Sequence, residues 1–335
     1  MDIADLRAAS ADLINLYAQF ELPQQWGTGE SAAADGTHFE TYEDNLLAEH
    51  HIRYGKTGGI AYRHVADNYV ALFSRFIACG TYEATFILDA LLQNLSDVKP
   101  SRVHADTHGQ SASVFGLAYL LGIEVMPRIR CWQNLTLYRS DNENKYSRIN
   151  TLFSGTVNWV LIAEHYSQFM QLALAIQSGT LAPSAVLAKV NSYSTKNRFA
   201  LALKELGNAV RTTYLLEWIM DDSLRRTVHK GTTKIERHHK FAKHLAFGAG
   251  GHLRSNNPAD QEKAIVYNEL VTNAVALQNV VDQTQALHAL KSKGVNIRAD
   301  LAFLSPYATS KLKRFGDYPT NLKPEPMPTR TTLPQ

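Results

Sequence analysis

His104–Arg130 reads HADTHGQSASVFGLAYLLGIEVMPRIR, and its layout decides the fold. A short extended run ends at Asp106, Thr107-His108-Gly109 interrupts it, Ser111–Leu121 reads as a helix, and Glu124–Arg130 is extended again. Strand, helix and strand in that order belong to a mixed α/β sheet. A carboxylate at a strand end, with glycine close behind it, can face solvent and a bound ion without a bulky neighbour in the way. The same residue types recur upstream in Ala32-Ala33-Ala34-Asp35-Gly36. From spacing alone, a turn at Asp35-Gly36 and an N-cap at Asp106 account for both residues without any ligand.

Working outward, Ile3–Phe20 spaces its apolar residues as a helix, which Leu22-Pro23 and Trp26-Gly27 end. Ser31–Glu40 is small and then extended, and Ile60–Val65 and Tyr69–Ile77 flank Asp67-Asn68 as a hairpin. A helical pattern over Tyr82–Leu95 precedes the strand that ends at Asp106. Three strands, a helix, a strand, a helix and a strand are the order of a ribonuclease H-like mixed sheet with helices on both faces. After Ser154 the pattern is helical throughout: Trp159–Ile176, Pro183–Val190, Arg198–Trp218 and Ser223–His229, resuming at Ile235–Leu245 and Gln261–Leu290. The expected division is a leading helical segment over 1–30, a core over 31–150, an all-helical insertion without strands over 151–230, and a closing helical region over 231–317. The tail, 318–335, has five prolines and is expected to be disordered. Trp159, Phe169, Leu172, Leu215 and Trp218 lie at helical spacing and are expected in the core.

The composition, 45% hydrophobic and 19% charged with a net charge of +3, is that of a soluble globular chain and identifies no partner by itself. Cys79 and Cys131 are too few for a disulfide framework or a zinc cluster, which suits a reducing cytoplasm. Gly109–Ile123 is uncharged but contains Gln110, Ser111 and Ser113, and falls short of the ~20 apolar residues of a membrane span. No basic stretch followed by an apolar core marks a signal peptide at the N-terminus. Charge is local instead. Leu224–His244 carries Arg225, Arg226, Lys230, Lys234, Arg237, Lys240 and Lys243 against one acid, Glu236. Such a run is either a solvated helix face or a phosphate-facing surface. His229, His238, His239 and His244 lack cysteines at ligand spacing and are not expected to bind zinc.

Longer blocks carry a resemblance. His104–Arg130 with LTLYR (Leu135–Arg139) resembles the second-aspartate block of Tn3-family transposases, and WGTGESAAADGTHF (Trp26–Phe39) the first-aspartate block. YGKTGGIAYRHVADNY (Tyr54–Tyr69) is similar to the hairpin between them, Leu187–Gly248 to the helical region leading to the glutamate, and NELVTNAVALQN and LAFLSPYA to the closing segments. The resemblance runs from about Leu13 to Ala308 with the blocks in order.

The resemblance implies that Asp35, Asp106 and Glu236, the last in a Lys-X-Glu context, are the catalytic and metal-binding triad. Two magnesium or manganese ions about 4 Å apart need several carboxylates for charge balance, with Asp35 between them. DNA is the implied partner: transposon terminal inverted repeats and target DNA, cut and rejoined in replicative transposition. Lys230, Lys234, Arg237 and Lys240 are expected to contact it, and Arg128, Arg130 and Arg139 to contact phosphates or pair with buried acids. His104 and His108 bracket Asp106, placed to orient it or to touch DNA, although a strand-end histidine is more often a structural hydrogen-bonder. Family members are much longer, so the chain is expected to be a fragment or shortened relative, homodimeric when full length and located in the bacterial cytoplasm with the nucleoid. The alternatives are a catalytically idle remnant acting as a DNA- or dimer-binding module, and a structure-selective nuclease.

Overall fold

The computed structural model describes residues 2–42, 49–51, 55–143, 146–192, 197–246, 251–297, 301–310, 312–313 and 331–334. The expected hairpin forms one side of the sheet. β3 (Lys56–Ala66) and β4 (Ala71–Ala78) are antiparallel, and between them Tyr69 takes a left-handed backbone conformation at φ 76°. β1 (Ser31–Glu40) lies antiparallel to β3, and β5 (Arg102–Ala105) and β6 (Glu124–Pro127) continue from β1 in parallel. With the short β2 (Glu49–His51), the sheet runs β2-β3-β1-β5-β6, β4 sharing an edge of β3 with β2.

Successive side chains of a strand point to opposite faces, and β3 sorts the two layers. Ile60, Tyr62 and His64 face the segment after β4, where the His64 imidazole meets Ile87 O at 2.8 Å. Ala61, Arg63 and Val65 face α9 (Asp222–His244) and α10 (Pro258–Ser292). The helix expected over Tyr82–Leu95 is broken into a 3-10 turn, Glu83–Phe86, and a short α3 (Asp89–Gln93). Asp89 holds this segment down: buried, it accepts from Ser184 N at 2.8 Å and pairs with Arg75 at 2.9 Å. The leading helix α1 (Ile3–Ala18) starts from a capping box between Asp2 and Asp5 and is followed by the short α2 (Glu21–Gln24).

The region after residue 150 departs from expectation in three places. β7 (Leu137–Arg139) and β8 (Phe153–Thr156) pair in parallel, so the segment beginning at 151 is not strand-free. Leu137 and Phe153 bury against Leu215, and strands of three and four residues are too short to leave a period of their own. The helices α5 (Trp159–Glu164), α6 (Tyr166–Gln177), α7 (Pro183–Ser192) and α8 (Arg198–Met220) then follow. Leu203 and Tyr214 share one core with Val103 and Val125 of the sheet, so these helices do not stand apart from it. α9 is continuous across the expected division at 230 and 231, because no residue between Asp222 and His244 breaks it. Phe169 and Leu215 are buried as expected, but Trp159 is exposed, with its Nε1 donating to Ser140 O.

The end of the tail is also ordered. Glu21 N donates to Thr331 O, Leu333 N donates to the Glu21 carboxylate, and Leu333 packs against the cluster around Ile14. Residues 318–330 of the expected disordered tail lie outside the described residues.

The α8 helix crosses α4 (Ala112–Leu120) closely. A Cβ on Gly207 would stand 1.7 Å from Ala112 O, and one on Gly116 2.4 Å from Leu203 O. Gly207→Ala would improve helix propensity by about 1 kcal/mol, but a backbone carbonyl cannot yield as a side chain would. We therefore expect Gly207→Val to lower unfolding free energy by about 1–3 kcal/mol, read as a lower urea midpoint at unchanged m-value.

Candidate active site

The site lies where β5 ends beside β1. The last paired residues are Ala34 and Ala105, and the next residue on each strand is an aspartate, Asp35 or Asp106. Asp35 is therefore inside a continuous β1, not in a turn; it lies in register with Arg63 of β3, which directs it to the face covered by α9. Asp106 is an N-cap, accepting from His108 N at 2.9 Å, and its carboxylate also faces the site, with His108 Nδ1 3.5 Å from its Oδ2.

Glu236 arrives on α9. Val228, Ile235, His238, His239 and Ala242 form the buried stripe of that helix. Ile235 is sealed against Ala33, Val65 and Ala71, and Gly231 lies so near the His104 ring that a Cβ would stand 2.8 Å from its Cδ2. Glu236, beside this stripe, remains exposed. Asp35, Asp106 and Glu236 thus line one cleft of about 480 Å³. His108, His239, Lys240, Lys243 and Glu83 complete its wall.

Burial pushes the Asp35 carboxyl up to about 7, and the neighbouring Asp106, Glu83 and Glu236 carboxylates add to the effect against a hydrogen bond from Gly36 N. His239 Nδ1 lies 3.9 Å from Asp35 Oδ2, but burial holds the imidazole well below its ordinary range. It is a neutral neighbour of Asp35 and not its counter-ion. The donor set, clustered carboxylate oxygens on an open cleft, suits hard divalent cations. The side chains stand apart as placed: among the described residues no three histidine, cysteine, aspartate or glutamate groups close around one point.

The other expected residues divide. His108 is at the site. His104 is not: it is buried with its pKa lowered to about 4, and it lines a separate cavity of about 260 Å³ under α9. Arg128 and Arg130 follow β6 and are exposed at the edge where β5 delivers Asp106. Arg237 and Lys240 are exposed on α9 beside Glu236, and Lys230 is exposed a turn and a half earlier. Arg139 is committed to Asn150, donating to its side chain and its carbonyl. Lys234 turns inward, donating to Trp26 O at 2.8 Å and to Asp67 O, 4.8 Å from the centre of the Tyr69 ring. Its ammonium joins loops of the fold in place of the expected DNA contact.

Sequence reasoning missed Glu83, and gave His239 and Lys243 no place at the site. No motif marks Glu83. The one local signal is Gly36, where a Cβ would stand 2.4 Å from Glu83 Oε2.

Carboxylates gathered at the open edge of a mixed sheet, with exposed cations on the covering helix, define a class of α/β domain suited to hard cations and phosphate. The chain belongs to the Tn3 transposase DDE domain family, which matches residues 1–318. It is 30% identical over 94% of its length to the transposase for transposon Tn1546 of Enterococcus faecium. It is 32% identical over 93% to that for Tn501 of Pseudomonas aeruginosa, and 33% over 92% to that for Tn3926 of Escherichia coli. It spans 32% of the length of each.

The structural assignment of Lys234 has a measurable consequence. Lys234→Met should cost about 1–3 kcal/mol of stability through two unsatisfied carbonyls, seen in urea unfolding, while the salt dependence of any DNA binding stays as in the parent chain.

Proposed function

We propose that this chain is the catalytic domain of a DNA transposase, with a ribonuclease H-like core and the α5–α8 helices as an insertion in it. The observation that carries this reading is the meeting of Asp35, Asp106 and Glu236, from two strands and a distant helix, on one cleft. An idle remnant would have no need to keep all three carboxylates facing one space.

In this reading Asp35, Asp106 and Glu236 hold two magnesium or manganese ions. Bound there, divalent ions supply Lewis-acid stabilisation at phosphorus and lower the pKa of a coordinated water or hydroxyl. The chain's own residues do the rest. His108 orients Asp106 through its main-chain N–H and its ring. Lys240 and Lys243 at the cleft wall, and the exposed Arg128, Arg130 and Arg237, attract the DNA backbone and reduce its repulsion from the carboxylates. Phosphate contacts of this kind position DNA without reading sequence. Selection of terminal inverted repeats and pairing as a homodimer belong to the longer protein. The product is a nicked transposon end whose 3′-hydroxyl is joined to target DNA. Among the described residues no helix is long and apolar enough to cross a membrane.

Asp106→Asn keeps the side-chain shape and the acceptor for His108 N but removes the charge. We expect manganese-dependent cleavage of a DNA duplex to fall by more than about 100-fold, with circular dichroism and salt-dependent DNA binding unchanged. Equal cleavage by parent and variant would remove Asp106 from the metal site. Equal inertness of the two would favour the remnant.

A further inference from the structure

Asp35 and Asp106 sit at the end of the β1–β5 pairing, and beyond Ala34 and Ala105 the edge of β1 is open toward the cleft. Side chains from both faces of the sheet can reach an opening at its edge. Glu236 comes from the α9 face. Glu83 comes from the opposite face, where Gly36 is in register with Tyr62 and its missing Cβ leaves the space that Glu83 Oε2 fills. A fourth carboxylate therefore lies against the backbone of the residue after Asp35 and lines the same cleft.

We propose that Glu83 is a fourth carboxylate of this centre, giving an oxygen ligand to a divalent cation held with Asp35 and Asp106. The inference rests on the metal-centre reading above and adds a residue outside the Asp35, Asp106 and Glu236 triad. Two features of the fold support it. The 3-10 turn Glu83–Phe86 is anchored by the buried Ala84 and Ile87, so Glu83 stands on a fixed base. That base is fastened to the turn carrying Asp106, because the neighbouring Tyr82 hydroxyl donates to His108 O at 3.0 Å and its ring lies 5.8 Å from the His108 ring. The two carboxylates are thus presented by elements joined to one another. Charge points the same way. Two divalent cations carry four positive charges, which three carboxylates leave unbalanced and four neutralise before any phosphate arrives. Glu236 and Glu83, from opposite faces of the sheet, would flank the ions that Asp35 and Asp106 meet at its edge.

The test is manganese binding, independent of catalysis. Manganese chloride is titrated calorimetrically into the parent chain, Glu83→Gln and Glu83→Asp, with electron paramagnetic resonance of the bound ion as a second readout. Glu83→Gln is expected to weaken manganese binding by about 10- to 100-fold and to change the spectrum of the bound ion. Glu83→Asp, which keeps the charge one methylene back, should bind between the two. Metal-free circular dichroism and thermal midpoints of all three should agree; if Glu83→Gln does not fold, Glu83→Asp decides. Parent-like affinity and spectrum in the folded variants would overturn the role of Glu83 and leave the triad standing. A parent chain that binds no manganese would overturn the metal centre itself, and Glu83 with it.

Discussion

The seat of α9 on the sheet is the contact on which the site depends. Gly231 meets the His104 ring without room for a methyl group, and one turn later Ile235 is sealed against Ala33, Val65 and Ala71. Small residues on β1 let the helix approach, and burying one isoleucine side chain there contributes about 1.5–3 kcal/mol. The helical period then does the rest. With Ile235 inward, Glu236 stands at the margin of the buried stripe, facing the edge where β1 outruns β5. The middle of α9 is held by Lys234 on the carbonyls of Trp26 and Asp67, and the next turn by His238 against the Tyr307 hydroxyl at 3.1 Å. A carboxylate 130 residues from Asp106 in sequence is thereby brought to the same cleft.

The layer behind α9 contains polar side chains tied to defined partners, while Arg63 Nε and His239 Nε2 are buried without one. Arg63, fully buried on β3, donates to Asn268 Oδ1 at 2.7 Å, and Asn268 in turn donates to Ala242 O of α9. One turn further along α10, the Asn273 amide accepts from Ala71 N and donates to Ala71 O, completing the backbone hydrogen bonds of β4 at a point where no strand continues. Buried polar groups are costly unless paired, so this pattern permits few alternative registers between sheet and helix. Precision at the carboxylate cleft follows from that restriction. Side chains on a seated helix and adjoining strands hold their geometry better than groups carried on free loops.

Electrostatics divide α9 along its length and around its circumference. The inward face carries His238 and His239, which burial keeps neutral, and the outward face carries Arg237, Lys240 and Lys243. The acidic cleft is therefore bordered by cations that do not pair directly with Asp35, whose carboxyl stays high under burial and like charge. Such a surface can attract a phosphate backbone while leaving its carboxylate oxygens for other ligands.

Periodicity and composition were enough to mark β1, the β3–β4 hairpin, β5, α4 and β6, because each carries a run long enough to display its period or is bounded by turn residues. The family resemblance of the blocks, in order, singled out Asp35, Asp106 and Glu236 as candidates. The strands β7 and β8 were illegible, since three or four residues whose burial depends on Leu215 have no pattern of their own. Residue type and neighbourhood likewise could not tell Lys234, Arg139 and His104, which turn into the fold, from Lys240 and His108, which face the cleft. Direction is set by what lies across the interface. Asp35-Gly36, a turn pair by local preference, is drawn into a ten-residue strand by pairing with β3. Glu83 reaches the cleft only because Gly36 leaves a space on another element. The sequence by itself determined the main strands, their order and the three candidate acids. Their meeting, and the company of Glu83, His239 and Lys243, was decided by packing between segments far apart in the chain, a relation that no local run of residues encodes.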